Sequence, residues 1–209
     1  MPQPVWSPTL VDMLVARREA PRGAVRVAAM LFVAALTAAA AQVSVPLPFT
    51  VVPFTFQPMV VLLGGLALGS RLGFGSQVLY LMAGIAGLPV FAASTTLPPG
   101  ALRLVGPTGG YLLAYPVAAF LVGSLAERGF DRRYPTSVLA MLAGLLVVYG
   151  GGTLWLGSVA WIAAPPSPIG LQAALAAGVY PFIAADLVKL FAAAGILPGL
   201  WKLLGRASR

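Results

Sequence analysis

The sequence predicts an all-α, polytopic membrane protein with six transmembrane helices and both termini cytoplasmic. Three observations predict it. Of 209 residues, 59% are hydrophobic and 9% charged, against roughly 25% charged in soluble domains, and the mean hydropathy is +0.93. Six apolar stretches reach, or nearly reach, the length of about 20 residues that crossing a bilayer needs. The basic residues gather at alternate span boundaries, as the positive-inside rule requires of cytoplasmic loops.

The first span, residues 25–43, follows the basic stretch Arg17, Arg18, Arg22 and Arg26 and ends before Pro46, Pro48 and Pro53. Proline lacks a backbone donor and restricts the residue before it, so the helix stops there. The second, 56–69, is short and starts at this Pro-rich segment, so its outer end is expected to be irregular backbone buried in protein or lining a cavity. The third, 73–88, stops at Pro89. Residues 90–105, with Pro98, Pro99 and Gly100, form a connection long enough to serve as a lid or binding element. The fourth span is 106–125, the fifth 137–160 and the sixth 171–197. These bounds divide the chain into an N-terminal cytoplasmic segment, 1–24, a six-helix domain, 25–198, and a basic cytoplasmic tail, 199–209.

With six spans, four basic segments fall on one side: the N-terminal arginines, Arg71, the group Arg128, Arg132 and Arg133, and finally Lys202, Arg206 and Arg209. Only Arg103 lies opposite, which makes the shared side cytoplasmic. The net charge of +8 is then mainly a topology signal, with some attraction to anionic membrane lipid. No nucleic-acid partner is expected, since no basic soluble face exists to bind one. The first twenty residues carry Asp12, Arg17, Arg18 and Glu19 without a compact apolar core, so a removable signal peptide is not expected.

Asp186 and Lys189 carry the chemistry. They stand three residues apart within the apolar run 171–197, about one helical turn, so they project from nearly the same face. Charged groups at membrane depth are costly and usually face a cavity or a partner, which marks a site for a polar ligand. The competing reading is an ion pair that only joins two helices. Thr55 and Gln57, at the outer mouth of span two, offer hydroxyl and amide groups that suit a cyclic urea or amide; alternatively they satisfy backbone groups freed by the prolines. Gly106-Pro107-Thr108-Gly109-Gly110-Tyr111 opens span four, either as free amides that attract a carboxylate or simply as a helix start. Tyr80, Phe91, Tyr111, Tyr115 and Tyr149 are aromatic residues available to line a pocket. Ala34 with Ala38, and Ala35 with Ala39, give span one small residues at four-residue spacing, suited either to packing within the bundle or to docking another membrane protein.

Several function classes are disfavoured. The chain has no Cys and no His, so the common zinc and haem ligand sets are missing, and no metal or cofactor is expected. Apart from Asp186 the acids Asp12, Glu19, Glu127 and Asp131 all fall in cytoplasmic segments, which leaves no paired intramembrane carboxylates for acid–base catalysis. There is no Walker motif for ATP hydrolysis. No enzymatic activity is expected.

Pro46-Leu47-Pro48, Pro53 to Gln57, Leu62 to Gly69, Tyr80 to Phe91, Gly106 to Tyr111 and the Asp186 to Lys189 pair together resemble the BioY family, the biotin-specific substrate-binding (S) components of energy-coupling factor (ECF) transporters. The resemblance covers residues 34–194. It implies a six-helix subunit of a bacterial or archaeal cell membrane that captures biotin from outside. A transmembrane coupling subunit and two cytoplasmic ATPases would then drive its release inside. By the same resemblance Asp186 and Lys189 bind biotin, and Ala34, Ala35, Ala38 and Ala39 contact the coupling subunit. Thr55, Gln57, Tyr80, Phe91, Thr108, Gly109 and Tyr111 are the further candidate binding residues of the sequence. Which end of biotin meets Asp186 or Lys189 stays open. One departure is the stretch 92–103, which lacks the glycine-rich character usual in the family, so its contacts cannot be transferred position by position. The alternatives are a stand-alone biotin carrier driven by an ion gradient, an S component for another vitamin such as riboflavin or thiamine, and a small intramembrane enzyme.

Overall fold

The structure, a computed structural model, describes residues 7–17, 21–94, 97–158 and 169–206. Among them the chain is helical apart from connections and one short antiparallel strand pair. The outer end of span five, at 159–160, lies outside the described residues, as do Arg18, Glu19, Thr95, Thr96 and Arg209.

Helix α1 (Leu10–Arg17) begins with Asp12 reaching back over its first turn, Oδ2 accepting both the Thr9 N–H and Oγ–H at 3.1 and 2.9 Å. It turns Val11 and Val15 inward. Helix α2 (Arg22–Gln42) leads into strands β1 (Ser44–Val45) and β2 (Phe54–Thr55), which pair with Ser44 opposite Thr55. Here the chain turns through the proline-rich segment that the sequence reading leaves irregular.

Helices α3 (Gln57–Leu68) and α4 (Ser70–Ile85) meet at Gly69, whose φ of +83° makes an abrupt corner that a side chain would strain. Glu127 fixes the corner by accepting the Ser70 N–H and Oγ–H, both at 2.8 Å. That bond starts α4 three residues before the expected boundary. The connection that follows α4 carries a single turn of helix, α5 (Leu102–Val105). Helices α6 (Gly109–Ala126) and α7 (Tyr134–Ser158) follow.

Helix α6 is the hub, packing on α3, α4 and α7. Small residues permit this: a Cβ on Gly73 would lie 3.0 Å from Gly65 Cα and 3.3 Å from the Ala119 carbonyl oxygen. Close backbone approach of this kind is how helices associate where apolar surroundings supply little drive.

The expected sixth span, 171–197, is corrected by the structure. It is divided into α8 (Leu171–Gly178), α9 (Ile183–Ala194) and, beyond Gly195, α10 (Ile196–Arg206). The break falls at Pro181, which has no N–H to continue α8 and disfavours helical backbone at Tyr180. The helical run long and apolar enough to cross a membrane is therefore Ile183–Leu204, beside Arg22–Gln42, Gly109–Ala126 and Tyr134–Ser158. Among the described residues these four qualify, while α3 and α4, of 12 and 16 residues, are shorter.

Candidate ligand-binding site

The break at Pro181 builds the site. Because α9 starts at Ile183, Asp186 lies in its first turn, where the positive end of the helix dipole favours a carboxylate. Lys189 stands one turn further on. Its Nζ reaches Asp186 Oδ1 at 2.5 Å, donates to the Thr55 carbonyl at 2.8 Å and sits 3.8 Å from the Phe54 ring centre. The other carboxylate oxygen, Asp186 Oδ2, accepts the Tyr149 hydroxyl at 2.6 Å. Both charged side chains are nearly buried, at 6% and 10% exposure. A pair this buried is tolerable only with such additional hydrogen bonds.

Above the pair lies a cavity of about 600 Å³, within the size range of small-molecule sites. The strand pair and its loop, with Pro46, Thr50 and Val52, form one wall, Phe91 to Ser94 another, and Tyr111, Tyr115 and Val148 a third. Asp186, Tyr149 and Phe182 close the end at α9. Thr50 Oγ1 donates to the Ala177 carbonyl at 2.6 Å, tying the first wall to α8. Glycines shape the third wall: a Cβ on Gly152 or on Gly178 would collide with Tyr111, whose hydroxyl donates to the Gly178 carbonyl at 2.9 Å.

Of the residues expected at the site, Thr55, Gln57, Phe91, Thr108, Tyr111 and Asp186 line this cavity. Lys189, Tyr80 and Gly109 do not. Tyr80 stands behind the wall, accepting from Gln57 Nε2 at 2.6 Å and donating to the Val90 carbonyl at 3.2 Å. Its ring meets Phe91 edge-on at 5.4 Å. It thereby orients Gln57 and Phe91. Gly109 packs against the Leu104 carbonyl, where no Cβ fits. The four alanines divide as well: Ala34 and Ala38 pack against the core, whereas Ala35 and Ala39 are exposed beside exposed Leu31, Phe32 and Leu36.

The sequence reading missed a role for Arg103, treating it only as a topology marker. Arg103 lines the cavity at 8% exposure and is held by a bond from its Nε to the Pro98 carbonyl at 3.1 Å. Burial lowers its pKa from the ordinary guanidinium value, yet an arginine stays charged. An isolated cation among proline and aromatic walls was a signal that topology counting absorbed.

A protein-family model described as the BioY family matches residues 13–206. This chain belongs to the BioY family. Relatives include the probable biotin transporter BioY of Pyrococcus horikoshii, 42% identical over 76% of this chain and 85% of that one. The biotin transporter BioY of Thermotoga maritima is 36% identical over 81% and 91%. A crystal structure of the S component for biotin from an ECF-type ABC transporter superposes with a TM-score of 0.73 at 25% identity, covering 87% of this BioY chain and 93% of that one. The fold is thus that of an S component, and family and fold together point to a transport role without enzymatic chemistry.

Proposed function

We propose that this protein is a biotin-uptake subunit of the cell membrane that binds biotin from the exterior and delivers it to the cytoplasm with an ECF module. The observation that carries this reading is the cavity: largely apolar, of small-molecule size, with a buried acid at one end and a buried guanidinium on its lining. Biotin has the complementary form. Its ureido ring offers two N–H donors and a carbonyl acceptor, its thiophane ring and valerate chain are apolar, and it ends in a carboxylate.

Asp186 accepts the ureido N–H groups, assisted by Tyr149 and by Gln57, whose amide both donates and accepts. Arg103 takes the valerate carboxylate, since it is the cation on the cavity lining, and the guanidinium fork matches a carboxylate. Thr55, Thr108, Phe91 and Tyr111 complete the walls. Lys189 acts through Asp186, pairing with it and holding it in place; Tyr80 and Gly109 act through their neighbours.

Six crossings accommodate this arrangement, formed by α2, α3, α4, α6, α7 and the α9–α10 run, with both termini in the cytoplasm as the basic residues direct. The short α3 is tolerated because it is buried among its neighbours. Residues 25–198 make up the binding domain. Ala35 and Ala39 supply the outward face for the transmembrane coupling subunit, which works with two ATPases, while Ala34 and Ala38 serve packing.

Isothermal titration of the purified chain with biotin tests the proposal, with desthiobiotin, riboflavin and thiamine as competitors. Stoichiometric biotin binding that riboflavin and thiamine leave unaffected is expected. Displacement by either vitamin, or no binding by folded protein, would overturn the assignment of biotin.

A further inference from the structure

A second concavity lies away from the ligand cavity, between α4 and α6, enclosing about 440 Å³ and lined by Arg71, Phe74, Val117 and Phe120. The close packing of the two helices explains it. A Cβ added to Gly73 would lie 3.3 Å from the Ala119 carbonyl oxygen of α6, and one added to Gly123 would collide with the backbone of Gly69 and Ser70. Backbones this close leave no room between them for large side chains. Phe74, Phe120 and Val117 therefore stand at the outer edge, 42%, 48% and 53% exposed.

Arg71 stands in the first turn of α4, at the end of the groove beside the α6–α7 connection. It is exposed, and among the described residues no hydrogen bond or ion pair engages it. Glu127, which caps the corner beside Arg71, is engaged by Ser70. The groove thus has an apolar body with one uncommitted cation at the end where the charged connection begins.

We infer that this groove holds one anionic phospholipid, its phosphate on Arg71 and an acyl chain along Phe74, Val117 and Phe120. The inference rests on the membrane location proposed above, and on nothing about biotin. Charge complementarity selects the occupant. A zwitterionic lipid gains less from a lone guanidinium, and an apolar protein helix gains nothing from it. Arg71 lies on the side assigned to the cytoplasm, the leaflet rich in anionic lipid.

Native mass spectrometry of the purified chain tests it, after incubation with equal amounts of phosphatidylglycerol and phosphatidylcholine bearing the same acyl chains. Wild-type protein is expected to retain phosphatidylglycerol preferentially as a single adduct. Arg71→Gln should lower that preference roughly fivefold, the scale of one basic residue at an anionic surface. Val117→Trp, which fills the groove from the other helix, should lower retention of both lipids. Biotin titration of the same samples reports that the variants are folded; if wild-type protein binds no biotin, the transport reading fails while the lipid ratio still reads the groove. An unchanged lipid ratio in Arg71→Gln together with unchanged retention in Val117→Trp overturns the inference. So does a result in which both variants keep lipid but no longer co-purify with the coupling subunit, which makes the groove a protein contact.

Discussion

Two buried acids, Asp186 and Asp131, have nearly the same equipment and opposite settings. Each has an aromatic donor, Tyr149 for Asp186 and Trp201 for Asp131, both at 2.6 Å. Each has a cation from its own stretch of chain, Lys189 at 2.5 Å and Arg132 at 3.5 Å. Asp186 faces a void. Asp131 is fully buried where separate segments converge: Trp201 comes from α10, its ring lies 3.4 Å beneath the Arg132 guanidinium, and Arg132 donates to the Pro8 carbonyl. The comparison teaches that burial and pairing alone do not mark a ligand site. What separates the two is whether a cavity opens beside the acid, leaving it a free side, or the packed segments close around it on every side.

Removing the charge of Asp186 should separate the settings most. Asp186→Asn leaves Lys189 buried without its counter-ion, which costs about 3 kcal/mol of stability, and weakens biotin binding by about 1.5 to 3 kcal/mol. The double variant Asp186→Asn with Lys189→Met removes both charges. It should regain most of the stability and none of the affinity, since replacing a buried pair by apolar groups is often neutral. Thermal unfolding and calorimetry on the same preparations measure the two effects. Wild-type affinity in the double variant would mean that the pair only joins helices.

The mirror experiment is Trp201→Phe. It deletes the indole donor to Asp131 and weakens the stacking beneath Arg132, a loss of about 2 kcal/mol in stability. Biotin affinity should stay within twofold of wild type, roughly 0.4 kcal/mol. A large affinity loss in a folded variant would show that the two ends are energetically coupled.

A subtler probe acts on the cavity wall alone. Gly84 lies against the Phe91 ring, and an added methyl there has no space. Gly84→Ala should push Phe91 toward the cavity, at a packing cost of about 1 kcal/mol, and weaken biotin binding by a similar amount. Unchanged affinity would show that Phe91 has room to move without affecting the ligand.

These residues also show how far the sequence carries. The apolar runs and prolines placed α2, α4, α6 and α7 to within a few residues, because each is governed by local signals. Asp186 and Lys189 stood out because charge in an apolar run is rare whatever the fold. Pro181 is just as visible, but the length of the apolar run around it argues for one continuous helix, whereas the structure breaks there and puts Asp186 in a first helical turn. Lys189 lining nothing, and Arg103 lining the cavity, depend on how β2, α5 and α9 converge from positions far apart in the chain. Spacing within one helix holds no record of that convergence. The pairing of Asp131 with Trp201, 70 residues apart, is of the same kind.

The smallest expected effect follows from titrating Asp131. Burial raises its pKa above the ordinary carboxylate value, outweighing the opposing influence of Trp201 and Arg132. The folded state therefore binds a proton more tightly than the unfolded chain does, so this residue's contribution to stability falls as pH rises from the ordinary carboxylate range, near 3.9, through the raised value. Asp131→Asn removes that contribution, so the stability difference between wild type and variant should drift with pH across this window and level off above it. Thermal unfolding of both proteins across a pH series measures the drift, and the other carboxylates cancel in the difference. Asp12 and Glu127 keep their own hydrogen bonds in both proteins. Biotin affinity compared between the two proteins should show no such drift, because Asp131 is sealed away from the cavity that Asp186 faces.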